Sequence, residues 1–239
     1  MLRAVTFDFW KTLYQDATGR EPRLRLLGEA LARHNHVRTQ DELEAAYRHG
    51  WRVWNRIWRE EQRSIPLDRW LDEVLGTLQA SLSGETLRRL KRDVEEIHLA
   101  WEKPHLVGGV ADVLPAVASR YRLGLISDSG LTPGRILRQV MARDGILDCF
   151  DVLTFSDEVG AAKPAPEPFL HTLKLLGVAP EETVHVGDLP ETDIAGAKAV
   201  GMKAILFLGI SRREDGLDRA DAAFERYDAL LHTLEAVET

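Results

Sequence analysis

Cysteine is almost missing from this 239-residue chain, Cys149 being its sole example. One thiol excludes an internal disulfide and any zinc cage built from cysteines. No apolar run approaches the roughly 18–20 residues that a membrane-crossing helix requires. The opening residues, MLRAVTFDFW, carry Asp8 within their apolar run and have no cleavage-site pattern. They do not read as a secretory signal, and the chain is expected to be cytoplasmic. A surplus of positive charge is also lacking, with 31 Lys+Arg against 38 Asp+Glu and a formal net charge of -7. That balance speaks against nucleic acid as a partner, because non-specific binding favours a basic face. There is no internal repeat and no signature of oligomeric state. What remains is an ordinary folding composition, 44% apolar and 29% charged, long enough for one large or two modest domains.

The texture changes twice along the chain. Residues 2–9 (LRAVTFDF) read as a short buried strand ending at an acid. From 15 to 102 Arg, Glu and Leu dominate, and five of the six tryptophans fall here. Apolar residues recur at helical spacing (Leu24, Leu27, Leu31; Trp51, Trp54, Trp58), so this stretch is expected to be an all-helical insert. Beyond Pro104 strands alternate with helices. Strands are expected at 121–127, 151–156, 183–187, 203–208 and 220–224. Helices are expected from Thr132-Pro133 to Arg143, from Pro166 to Leu176 before Gly177, over about 190–200, and from Tyr227 onward. Thr132 is read as a helix N-cap with Pro133 at the first helical position. The alternation predicts an α/β fold with a parallel sheet covered on both faces, built from residues 1–14 and 103–239.

In such sheets ligands bind where the carboxyl ends of the strands converge. The polar residues closing the strands are therefore the candidates: Asp8, Ser127-Asp128, Lys163 in the loop after 151–156, and Gly187-Asp188. Four stretches in this order, Phe7-Asp8-Phe9-Trp10-Lys11-Thr12-Leu13, Leu125-Ile126-Ser127, Gly160-Ala161-Ala162-Lys163-Pro164 and Val186-Gly187-Asp188 with Asp193 and Gly196-Ala197, together resemble the haloacid dehalogenase superfamily of aspartate-nucleophile hydrolases. The resemblance implies a three-layer Rossmann-like core with residues 15–102 as a helical cap. It implies a phosphatase acting on a small phosphorylated molecule through an aspartyl-phosphate on Asp8, with Mg²⁺ as cofactor. Asp8, Asp188 and the backbone carbonyl of Trp10 would ligate the ion, with Asp193 supporting the site. Lys163 and Ser127 would act on the phosphoryl group, and Phe9 and Asp128 would join Ser127 and Lys163 in binding substrate. The chemistry asks for these types: a carboxylate attacking an anionic phosphate needs cations beside it, and Mg²⁺ favours oxygen ligands.

One position departs from the pattern. The family's phosphatases carry an acid two residues beyond the nucleophile, and here Trp10 stands there. Lost acid–base help costs typically 10²–10⁴-fold, least for acidic leaving groups such as aryl or acyl phosphates. Asp128, Asp16 and the pair Asp157-Glu158 are the candidate replacements. An aromatic residue at this position is also natural to the 2-haloacid dehalogenases, which release halide without a proton and use no metal. Asp188 argues against that alternative, since a bare carboxylate beside Asp8 would repel a carboxylate substrate. A third reading is a module that binds metal and phosphate with little turnover. Trp51, Trp54 and Trp58 share a helical face that forms either the core of the insert or a pocket wall. Arg48, Arg52, Arg56 and Arg59 read as a solvated face.

Overall fold

The computed structural model describes residues 1–15 and 17–238. The sheet strands are β1 (Ala4–Phe7), β2 (Arg122–Ser127), β3 (Val152–Phe155), β4 (Thr183–Gly187), β5 (Lys203–Phe207) and β6 (Ala222–Phe224). The helices of the insert are α1 (Arg20–Ala32), α2 (Gln40–Arg56), α3 (Leu67–Thr77), α4 (Gly84–Glu95) and α5 (Ile97–Ala100). Those around the sheet are α6 (Val110–Ala118), α7 (Gly134–Arg143), α8 (Ser156–Val159), α9 (Pro166–Leu176), α10 (Ala195–Ala199) and α11 (Leu230–Glu238).

The strands are parallel in the order β3-β2-β1-β4-β5-β6. All of β1 and β4 is buried, including the polar Thr6, Thr183 and His185, as expected of central strands covered on both faces. Phe7 lies level with Leu125 on one side and Val186 on the other, so the ends of the three central strands open at one edge. One face of the sheet packs Val5, Phe7, Leu123 and Leu125 against Leu114, Leu137 and Leu234 of α6, α7 and α11. The other packs Ile126, Ala204 and Leu206 against Phe169 and Ala197 of α9 and α10. The expected α/β layering is thereby formed.

The insert helices gather around a separate apolar cluster that includes Leu31, Trp70, Leu71, Val74 and Ile97, joined from the sheet side by Leu131. Helix α2 starts with a capping box, Thr39 accepting from the Glu42 N–H and Glu42 from that of Thr39. At its far end it widens into a π-helical turn over Ile57–Glu61.

Three local readings need correction. The segment 110–118 carries no strand or helix in the sequence reading, yet α6 forms there, with Val110, Leu114 and Val117 buried at helical spacing despite Pro115. Thr132 is not the cap of α7. Pro133 occupies the N-cap, and the Gly134 N–H is satisfied from outside, by the Asp157 carboxylate at 3.2 Å. The segment expected as a helix over 190–200 begins with a π-helical turn at Pro190–Ile194, where the Leu189 carbonyl accepts from the N–H groups of Thr192, Asp193 and Ile194.

Candidate active site

Asp8 follows β1 directly, with its N–H donating to the Val186 carbonyl of β4 at 2.9 Å. Asp188 follows β4, and Asp193 sits in the π-helical turn five residues on. One carboxylate oxygen from each of Asp8, Asp188 and Asp193 lies within 4.8 Å of the others. Lys163 reaches the same point from the loop before α9, its Nζ donating to Asp8 Oδ1 at 2.5 Å and Asp193 Oδ1 at 2.6 Å. All four are almost completely buried. Gly187 makes the cluster possible: a Cβ there would lie 2.3 Å from the Asp193 carboxyl carbon.

Burial decides the proton affinities. Asp8 is pushed well above the usual carboxylate value by desolvation, with Lys163 pulling it back and Asp193 and Asp188 adding repulsion. Asp188 is pushed up to about 7 by desolvation and by Asp193, against a hydrogen bond from Ser211 and the pull of Lys163 and Lys11. Asp193 is also desolvated, but Lys163 and His185 outweigh this and hold it below the ordinary value. Burial alone would lower Lys163; Asp193, Asp8 and Asp128 more than offset it and keep the ammonium charged. His185 is pulled down by burial. A neutral ring donating from Nε2 to Asp193 (3.3 Å) and accepting the Thr6 hydroxyl at Nδ1 (2.8 Å) satisfies both contacts.

The carboxylates divide into those already engaged and those with capacity to spare. Asp193 accepts from Lys163 and His185 on one oxygen and from the Leu189 N–H, at 2.9 Å, on the other. Asp8 and Asp188 each spend one oxygen, on Lys163 and Ser211 respectively. Three buried acids beside one buried lysine leave excess negative charge, which a low-dielectric site tolerates only by protonation or by a cation. The converging donors are all hard oxygens, which fits Mg²⁺ better than a softer metal.

A cavity of about 530 Å³ opens above these groups, between strand ends and insert. Asp8, Lys163, Asp188 and Asp193 line its floor together with Trp10 and Asp128. Trp10 packs its ring 4.8 Å from that of Phe9 and 5.2 Å from His98 of α5. Asp128 is held at both oxygens, by the Lys163 N–H at 3.0 Å and by Trp58 Nε1 of the insert at 2.9 Å.

Phe9 and Ser127, both expected at the substrate, are not among the residues that line the cavity. The Phe9 ring is fully buried, stacked on Tyr14 at 4.4 Å, and belongs to the core under the cavity rather than to its wall. Ser127 ends β2 with its hydroxyl buried and without a hydrogen-bond partner. Among the candidate replacement acids, Asp157 caps α7 and Glu158 pairs with Arg138, while Asp16 lies outside the described residues. Arg48, Arg52, Arg56 and Arg59 are exposed. Trp51, Trp54 and Trp58 do both jobs weighed for them, packing with the insert cluster and lining the cavity.

The sequence reading missed Arg23, His185 and Ser211. His185 looked like one more residue of a buried strand, and Ser211 lies in a loop with no motif. Arg23 is one of many arginines in the insert, but only 4% exposed, and its burial was the signal that the pattern did not carry.

A parallel sheet whose strand ends bring three acids and a lysine to one buried point is the frame of an aspartate-centred hydrolase. The model of the haloacid dehalogenase-like hydrolases matches residues 2–201, and the chain belongs to that family. The glyceraldehyde 3-phosphate phosphatase of Methanopyrus kandleri is 28% identical over 211 residues, spanning 86% of this chain and 83% of that one. A haloacid dehalogenase-type phosphatase from Thermococcus onnurineus superposes with a TM-score of 0.64 at 26% identity, covering 98% of both chains. A 2-haloacid dehalogenase from Pseudomonas syringae pv. Tomato superposes with a TM-score of 0.73 at 25% identity, covering 99% of both.

Proposed function

We propose that this hydrolase is a Mg²⁺-dependent phosphatase that cleaves a small phosphate monoester through an aspartyl-phosphate on Asp8. The convergence of Asp8, Asp188 and Asp193 on one point beside Lys163 carries this reading. Asp8, Asp188 and the Trp10 carbonyl would hold the ion, with Asp193 fixing Lys163 and the turn after β4. When bound, the ion supplies charge neutralisation at the nucleophile and the phosphoryl oxygens.

An Asp8 oxygen attacks phosphorus, and the bond to the leaving oxygen breaks with its electron pair going to that oxygen. Water then attacks the same phosphorus, the bond to Asp8 breaks with its electron pair returning to the carboxylate, and inorganic phosphate leaves carrying the water's oxygen and protons. Lys163 holds Asp8 in line and offsets charge as it builds on the phosphoryl group. The unpartnered Ser127 hydroxyl is a donor for a phosphoryl oxygen. Asp128, occupied at both oxygens, serves as an acceptor that ties the Lys163 loop to Trp58 rather than as the missing acid. The insert 15–102 acts as a cap that walls the cavity and excludes water.

The dehalogenase reading rests on Trp10 and is weakened by Asp188, which sets a second buried carboxylate within reach of Asp8 where a carboxylate substrate would be repelled. The binding-module reading predicts metal and phosphate binding without turnover. Phosphate release from a panel of monoesters with and without Mg²⁺ tests all three. Hydrolysis that needs Mg²⁺ and falls at least about 10³-fold in Asp8→Asn is expected. Metal-free halide release, or full activity in Asp8→Asn, would refute it.

A further inference from the structure

The wall of the cavity opposite the acids comes from the insert, and its chemistry is unlike the floor. Trp51, Trp54 and Trp58 line it along one side of α2 and its π-helical extension. The rings of Trp51 and Trp54 stand 5.2 Å apart, those of Trp54 and Trp58 5.4 Å apart and nearly parallel. Indole faces attract a flat unsaturated ring and offer little to a polyhydroxylated chain, whose hydroxyls would lose water without gaining partners.

Arg23 enters the same cavity from the first turn of α1. Its guanidinium donates to the Thr18 carbonyl and lies against Gly19, where a Cβ would come within 2.9 Å of it. Gly19 has φ +59°, so the position suits glycine on both counts. Among the described residues Arg23 has no carboxylate partner, and its Nε has no hydrogen bond. Two other cations of the cavity wall are matched: Lys163 by Asp8 and Asp193, Arg20 by Glu21 and Glu44. Burying a guanidinium without a counter-ion is costly. An anion delivered by a ligand restores the balance, and a planar carboxylate matches the guanidinium fork.

The leaving group gives a third constraint. With an indole at position 10 and Asp128 engaged at both oxygens, neither of these two positions supplies a proton to the departing oxygen. A phenol, with a pKa of about 10 as for tyrosine, leaves far more readily as its anion than an aliphatic alcohol does.

We propose that the substrate is the phosphate monoester of an aromatic alcohol bearing a second anionic group, its ring against Trp51, Trp54 and Trp58 and its anion on Arg23. This rests on the phosphatase reading for the reaction but not for the binding. The binding is tested with non-hydrolysable probes followed by tryptophan fluorescence in Mg²⁺ buffer: butylphosphonate, phenylphosphonate and 4-phosphonobenzoate. Phenylphosphonate is expected to bind at least tenfold more tightly than butylphosphonate, and 4-phosphonobenzoate at least tenfold more tightly again. Arg23→Gln is expected to bring the second ratio to within twofold, with Arg23→Lys in between.

Equal affinity for the aryl and butyl probes, or a carboxylate preference that survives Arg23→Gln, would overturn the inference. Should Arg23→Gln fail to fold, the wild-type comparison of 4-phosphonobenzoate with 4-methylphenylphosphonate decides, and equal affinities refute. Turnover of butyl phosphate as fast as 4-carboxyphenyl phosphate also refutes it while leaving the phosphatase reading intact. Arg23-dependent aryl binding with no hydrolysis of any monoester supports the ligand class and overturns the phosphatase reading alone.

Discussion

An indole at position 10 changes what Asp8 can accomplish. Trp10 lines the cavity floor two residues beyond Asp8, the proposed nucleophile, where a carboxyl could protonate a leaving oxygen and later activate water. Restoring that group by Trp10→Asp is expected to raise kcat for aliphatic phosphate esters by about 10²-fold or more, and for aryl esters much less. Steady-state rates on matched butyl and phenyl phosphates check this; an equal effect on both would mean that proton transfer is not what the site lacks. Asp8, Lys163, Asp188 and Asp193 were legible as residues because each closes a strand or follows a small-residue motif. Arg23 was not, since nothing in the local pattern separates a buried arginine from its exposed neighbours. Phe9 shows the converse: adjacency to Asp8 in sequence says nothing about direction, and its ring turns into the core.

At the level of elements, the strands were readable because buried parallel strands are short apolar runs, and β4 at Thr183–Gly187 was bounded correctly. Helix α6 escaped because Pro115 and the brevity of VADVLPAVA hide its spacing, although burial against the sheet stabilises it. The cap of α7 escaped for another reason: its acceptor, Asp157, belongs to a different loop. Long-range contacts of this sort also join insert to core. Trp58 Nε1 bonds Asp128, the Gln62 carbonyl accepts from the Ala162 N–H at 2.8 Å, and the Ser64 and Ser156 hydroxyls meet at 2.5 Å. A double-mutant cycle with Trp58→Phe and Asp128→Ala is expected to give a coupling of about 1–2 kcal/mol in denaturant unfolding. Additive effects would mean that the two elements are not tied by this bond.

The whole molecule carries the charge imbalance of its site as a dependence of stability on pH. Asp188, ordinarily at 3.8, is pushed up to about 7 in the folded protein, and Asp8 shifts in the same direction. Between those values the unfolded chain binds fewer protons than the folded one, so stability falls as pH rises from about 4 to about 7. Asp193, held low, acts oppositely, losing stability only as pH drops below about 4. Without metal, Tm is therefore expected to decline from pH 5 to pH 7.5. Added Mg²⁺ is expected to raise Tm more at pH 7.5 than at pH 5, because it competes with protons for the same oxygens. Thermal scans with EDTA or MgCl₂ measure both, and an equal Mg²⁺ effect at the two pH values would contradict the assignment.

Local order lies in the chain's own pattern. The alternation of apolar runs with helical spacing dictates a parallel α/β sheet, and such a sheet presents its polar strand ends at one edge, so the acids and lysine announce themselves. Tertiary packing alone decided what faces them. Whether three tryptophans fill a core or wall a cavity, and whether one arginine among many loses its water, depends on where separately formed helices come to rest. Residue spacing fixes the direction of a side chain within its own element and carries no record of what that element will meet.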